Sequence, residues 1–284
     1  RILDAYIAQY GRDIDQVGTS YYNWGNRLHA IHRYREAVDA FRRSIAILER
    51  TRGPNDILVG RASGNLGLSL SYFGWHDQAV AAHQRALAIY KITLPPVHIS
   101  VANTLNNLGL AYNAQPSYDQ AIALWEQAME MYQRLEGPGS ANVGRMVNNI
   151  GSAYFYQERF DDALPLLLRG LAIYEKTLHP MHPDIAGTSY GIAMIYIKFG
   201  QKEEGQRYFR RAMEVWRQSG GADHPRYTEA DVMRAITEGD TKKTTEALQR
   251  LVASYDRAFG PKSLSLALEF RKFAAHMINQ PKEA

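Results

Sequence analysis

Val101-Ala102-Asn103-Thr104-Leu105-Asn106-Asn107-Leu108-Gly109-Leu110-Ala111-Tyr112 decides the fold. Leu105, Leu108, Gly109 and Tyr112 fall three and four residues apart, so on an α-helix they share one stripe. The glycine in that stripe is not isolated. Glycine or alanine recurs in the same setting at Gly25, Gly67, Gly109, Gly151 and Ala193, with the same step of 42 each time. A second column, Ala37, Ala79, Ala121, Ala163 and Gly205, keeps that step 12 residues further on, and Ala235 with Ala247 continues both. A third, Ser44, Ala86, Ala128, Gly170, Ala212 and Ser254, is small at every step, as close crossing of helices requires.

An amphipathic pattern of about 15 residues surrounds each of the first two markers, so each unit reads as helix, short turn, helix. Proline and glycine punctuate the joins between units: Arg52-Gly53-Pro54-Asn55, Leu94-Pro95-Pro96, Glu136-Gly137-Pro138-Gly139, His179-Pro180-Met181-His182-Pro183 and Gly220-Gly221-Ala222-Asp223-His224-Pro225. The expected organisation is one solenoid over residues 1–284. It has a partial unit at 1–15, repeats at about 16–56, 57–98, 99–140, 141–182 and 183–224, a variant unit at 225–262 and a closing helix at 263–279. The predicted class is all-α: a right-handed α-solenoid with a one-dimensional core and no strand. The chain opens on Arg1 without a methionine, which suggests a piece of a longer polypeptide.

Composition narrows the function classes. Lys and Arg number 33 against 29 Asp and Glu, a net charge of only +4, and the basic residues are spread along helices without forming blocks. That argues against nucleic acid as a partner. With no cysteine, disulfides and thiolate metal sites are excluded, and an intracellular, cytoplasmic setting is expected. No apolar run reaches the roughly 18 to 20 residues of a membrane span. No nucleophile elbow, zinc-protease motif or catalytic dyad is found, so no enzyme activity and no cofactor are expected. His29 with His32, and His179 with His182, stand three apart but lack further ligands; they are read as structural. Gly260-Pro261-Lys262-Ser263 lacks the earlier glycine of a phosphate loop. Tyr90, Tyr132, Tyr174 and Trp216 again step by 42 and read as packing between repeats. Arg43, Arg85, Arg169 and Arg211, with Gln127 replacing one member, read as a solvated or locally paired face.

The residue types resemble the tetratricopeptide signature, seen in Trp24-Gly25, Leu66-Gly67, Leu108-Gly109-Leu110-Ala111-Tyr112 and Ile150-Gly151-Ser152-Ala153-Tyr154. The 42-residue unit is similar to that of the kinesin light chain type. So are Val101 to Leu108, Tyr118-Asp119-Gln120-Ala121, Arg85-Ala86-Leu87-Ala88-Ile89-Tyr90 and His182-Pro183-Asp184-Ile185-Ala186. The resemblance implies a scaffold or adaptor that recognises a short, extended, acidic or aromatic-containing protein segment in a concave groove lined by the first helices. Two alternatives stay open: a structural subunit of a large stable assembly, and a regulatory repeat module of a larger multidomain enzyme.

Candidate ligand contacts follow from register. If the marker glycine is position eight of each first helix, positions four, seven, eight and eleven form the core stripe. Positions two, five, six and nine are turned about 200° away. Position six is asparagine four times running, at Asn23, Asn65, Asn107 and Asn149. Asparagine costs a helix about 0.5 to 0.7 kcal/mol relative to alanine, so its repetition points to a hydrogen-bonding duty. An amide both donates and accepts, which suits the alternating N–H and C=O of an extended peptide. Position five adds Tyr22, Asn106, Asn148 and Tyr190; position two adds Arg61, Asn103 and Arg145, and the guanidinium groups of the two arginines suit ligand carboxylates. The competing reading is that the amides bond to neighbouring helices and set the superhelical pitch.

Overall fold

The computed structural model describes residues 15–220, 225–239 and 241–259. Apart from Asp15, the expected partial unit at 1–15 lies outside them, as do the closing helix at 263–279 and Gly260-Pro261-Lys262-Ser263. The described residues hold twelve α-helices and no strand, so the molecule is all-α as expected.

The chain forms two compact units, residues 1–159 and 160–284. In the first, α1 (Asp15–Ala30) pairs with α2 (Tyr34–Arg52), α3 (Ile57–Phe73) with α4 (His76–Thr93) and α5 (Ile99–Asn113) with α6 (Tyr118–Glu136), and α7 (Ala141–Tyr156) packs on α6. In the second, α8 (Phe160–Thr177) packs on α9 (Pro183–Lys198), which pairs with α10 (Lys202–Gly220); α11 (Pro225–Glu238) pairs with α12 (Thr241–Phe259).

The period is written into the ends of the helices. The first helix of successive pairs is capped by Asp56, His98, Ser140 and His182, each accepting a bond from a backbone N–H one or two residues inside the helix. Pro183 follows its cap at a position where the missing N–H has no intrahelical partner to lose. At the end of α1, α3, α5, α7 and α9, the N–H of Arg33, Trp75, Ser117, Arg159 and Gln201 reaches the carbonyl five residues back. That six-to-one bond closes the first helix and demands a left-handed residue just before it. His32 (φ 61°), Gly74 (87°), Glu158 (59°) and Gly200 (75°) take that place.

Across each pair the markers act as the sequence suggests. Ala37, Ala79, Ala121 and Ala163 are wholly buried. So are Ser44, Ala86, Ala128 and Ala212 of the small column, and the Ser44 hydroxyl donates to the Gly18 carbonyl at 2.8 Å. Close crossing is what lets Phe41 and Trp125 lie against Gly25 and Gly109. A Cβ on Gly109 would stand 2.5 Å from the Trp125 Nε1, and one on Gly25 would stand 2.6 Å from the Phe41 ring. Tyr90, Tyr132, Tyr174 and Trp216 are core residues. One member of the expected core stripe departs: Trp24, at position seven, is 48% exposed.

Candidate functional site

In the first unit, α3 packs its position-six side chain within bonding distance of positions five and nine of α1, and α7 its position-six side chain within bonding distance of position five of α5. The Asn65 amide donates to Asn26 Oδ1 at 2.7 Å and to the Tyr22 hydroxyl at 3.4 Å, both on α1. The Asn149 amide donates to Asn106 Oδ1 at 3.2 Å, and Asn106 in turn donates to Asn107 Oδ1 at 3.1 Å. The tyrosine hydroxyl of Tyr132 donates to Asn103 Oδ1 at 2.6 Å. Asn23 is exposed, Asn65, Asn107 and Asn149 are half-buried, and Asn103 and Arg61 are exposed.

Asn106 corrects the expectation that position five faces solvent. It is only 5% exposed, its backbone carbonyl accepts from Trp125 Nε1 at 3.2 Å, and its side chain is spent on Asn107 and Asn149. The physical reason is local: the Trp125 indole lies against Gly109 and bonds the Asn106 carbonyl, and the Asn106 side chain bonds Asn107 and Asn149. Asn106 is therefore a strut behind the face. Asn148 is half-buried and engaged. Tyr22 packs its ring 6.1 Å from Phe41. Tyr190 lies in the second unit, where its ring packs 5.7 Å from Phe209 and 5.6 Å from Trp216.

What remains after these internal bonds is an alternating set of groups. Asn107 keeps its amide hydrogens and Asn149 its amide oxygen; Asn65 keeps an acceptor and Asn103 its donors. Arg145 donates to Asn142 Oδ1 at 2.8 Å, while its buried Nε has no partner. Arg145 also acts on Tyr132: burial pushes that phenol up and the guanidinium partly offsets it. Tyr90 is pushed up to about 12, by burial first, with Arg61 opposing. Both arginines thus stand beside the buried phenols, with one full repeat between them.

The remaining sequence candidates are committed elsewhere. Arg85 pairs with Glu49, Arg211 pairs with Glu175 at 2.7 Å, and Arg43 lies over the Tyr21 ring. His29 bonds Ser69 at 2.9 Å, and His182 and His179 cap local N–H groups. Two features went unread in the sequence. Asn26, at position nine, anchors Asn65. Along the helix-turn edge of the first unit, Ile31, Tyr72, Phe73, Trp75 and Tyr156 are exposed, with Tyr34 stacked on Tyr72 and Tyr118 on Tyr156. The signal for the edge was present in the 84-residue step from Tyr34 to Tyr118 and from Tyr72 to Tyr156.

Paired helices in 42-residue register, closed by repeating six-to-one turns, define a helical-hairpin repeat protein. The tetratricopeptide repeat profile matches residues 3–92, 100–176 and 184–258, and the chain belongs to that family. No curated protein sequence matches it. Among solved structures it is similar to BtubC (BKLC) from P. vanneervenii, at 20% identity over 77% of this chain and 87% of that one, with a TM-score of 0.62. A putative kinesin light chain with nearly identical TPR-like repeats from Podosopora anserina matches at 21% identity, over 73% and 99%, with a TM-score of 0.60. The Rap conjugation gene regulator of plasmid pLS20, in complex with the Phr* peptide, matches at 16% identity, over 89% and 71%, with a TM-score of 0.63. The kinesin light chain resemblance of the sequence therefore holds for the fold, and a protein-binding scaffold is the class it defines. Among the described residues, no helix is long and apolar enough to cross a membrane.

Proposed function

We propose that the first unit binds an extended, acidic segment of a partner protein inside the cell, and does so by binding alone, without chemistry of its own. The segment lies in a concave groove along α1, α3, α5 and α7. Asn23, Asn65, Asn107 and Asn149 meet its backbone, and Arg61, Asn103 and Arg145 meet its side-chain carboxylates. The carrying observation is the unspent capacity of the amide row: a donor on Asn107 and an acceptor on Asn149, held in place by buried Asn106. The Rap regulator bound to a peptide supports the reading as a protein of like fold.

Capture of an acidic peptide library by the full chain, followed by calorimetric titration of the best binder, tests the proposal. Asn107→Ala with Asn149→Ala weakens that peptide by about 1 kcal/mol per lost bond and leaves the circular dichroism spectrum intact. Affinity also falls as salt rises, because Arg61 and Arg145 are the cations. An unchanged affinity in the double variant removes the amide row from the site.

A second reading rests on the aromatic edge. A set of exposed rings along one edge marks a surface for a folded partner, so the chain would then serve as a structural subunit of a stable assembly. Co-purification only within a fixed complex, abolished by Tyr72→Ser with Tyr156→Ser, distinguishes this from peptide capture.

A further inference from the structure

The side chain beneath the marker glycine or alanine recurs every 42 residues as Phe41, His83, Trp125, Leu167 and Phe209. Four of the five are apolar or aromatic core residues, and His83 alone is an imidazole, at 0% exposure. It lies so close to Gly67 that a Cβ there would stand 2.7 Å from the ring. Trp125, the equivalent group one repeat later, satisfies its indole N–H on the Asn106 carbonyl. His83 has no such outlet, because neither ring nitrogen has a hydrogen-bond partner.

A neutral imidazole in that place has one unsatisfied donor; a protonated one has two, and a full charge with nothing to pair it. Burying an unpaired charge is the costlier state. No charged side chain on the packed elements bonds the ring. On α3 the one charged residue is Arg61, beside Tyr90, and the other titratable group is the exposed Tyr72. On α5 the one titratable group is Tyr112, bonded to Gln84. From α2, Glu49 pairs with Arg85 and Arg42 bonds Gln78. On α4 itself, Asp77 accepts from Gln115 and Lys91 is exposed.

We propose that His83 is an acid-sensitive lock of the second repeat: taking up a proton, it forces the α3–α4 pair apart. Burial alone holds the imidazole down to about 4, from an ordinary 6.5. The sign follows from linkage. The folded state binds the proton more weakly than the opened one, so the lock is fully closed above pH 6.5. It weakens as pH falls toward 4 and changes no further below that. The opening equilibrium rises by about 20-fold between pH 7 and pH 5, with a limit of about 300-fold. Because α3 carries Arg61 and Asn65, ligand release in acid is a corollary that rests on the proposed function. The lock itself does not.

The test uses the ligand-free full chain, which separates the two. Urea unfolding of the first unit at pH 7 and pH 5 is compared between wild type and His83→Phe, with His83→Leu as a second variant that Leu167 shows the fold accepts. The expected result is an opening constant that rises about 20-fold more in wild type than in either variant. Equal pH dependence in all three overturns the proposal. So does an NMR titration in which the native His83 ring protonates near its ordinary 6.5.

Discussion

The two units share a scaffold and differ on the face it presents. Trp125 in the first and Phe209 in the second fill the same place in the hairpin, at 1% and 4% exposure. Position five of the first unit carries Asn106 and Asn148, and position six carries Asn107 and Asn149; in α9 the equivalents are Tyr190 and Gly191. There the tyrosine is absorbed into a cluster with Phe209 and Trp216, where the first unit strings amides from repeat to repeat. The contrast separates two layers of information. The seam between paired helices builds the hairpin, and the residues turned away from the seam are free to specify what it holds.

The sharpest way to break this comparison is at the seam. Trp125→Ala should cost about 4 kcal/mol in urea unfolding, and Phe209→Ala a similar amount, since both leave a large cavity and Trp125 also gives up its bond to Asn106. Markedly unequal losses would show that the units do not share one scaffold. Next in size is Gly109→Ala, expected to cost about 2 kcal/mol by forcing a methyl group into the indole. Gly187→Ala in α9 meets nothing within 4 Å and should stabilise the second unit by about 0.5 kcal/mol. At the face, Asn106→Ala should cost about 1 to 2 kcal/mol, because it strands the Asn149 donor, while Asn23→Ala, at an exposed amide, stays within about 0.5 kcal/mol. Equal costs at the two sites would mean that the strut and the exposed amide cannot be told apart. A further measurement belongs to the turn. Glu158→Gly relieves a left-handed residue and should raise stability by about 1 kcal/mol, read as an increase in Tm.

The hairpins were legible because a helix seam repeats the same physical demand: small residues at the crossing, apolar ones at three- and four-residue spacing. Gly25 and Ala37 carry it as plainly in the sequence as in the structure. The caps were half legible. Ser140 announces a helix start, whereas His98 needed the structure, since histidine is not an ordinary cap. At the face, register placed Asn65, Asn107 and Asn149 beside one another, but it also put Asn106 in solvent. Helical angle alone does not record that Trp125 covers the Asn106 backbone and that Asn107 and Asn149 take up its side chain. Tyr190 illustrates the same limit: its angle equals that of Tyr22, and its surroundings depend on the two aromatic rings that happen to flank it. His83 hid in a column that the 42-residue step contains, because an imidazole among rings does not break hydrophobic periodicity.

The amide row has a polarity. Asn65 donates backwards to Asn26, and Asn149 donates backwards to Asn106, so each bond runs from a later repeat to the one before it. A ligand held by this row, as proposed, would meet donors and acceptors in a fixed order, and a peptide and its sequence reversal, whose backbones are alike, would differ only in the order in which their side chains meet Arg61 and Arg145.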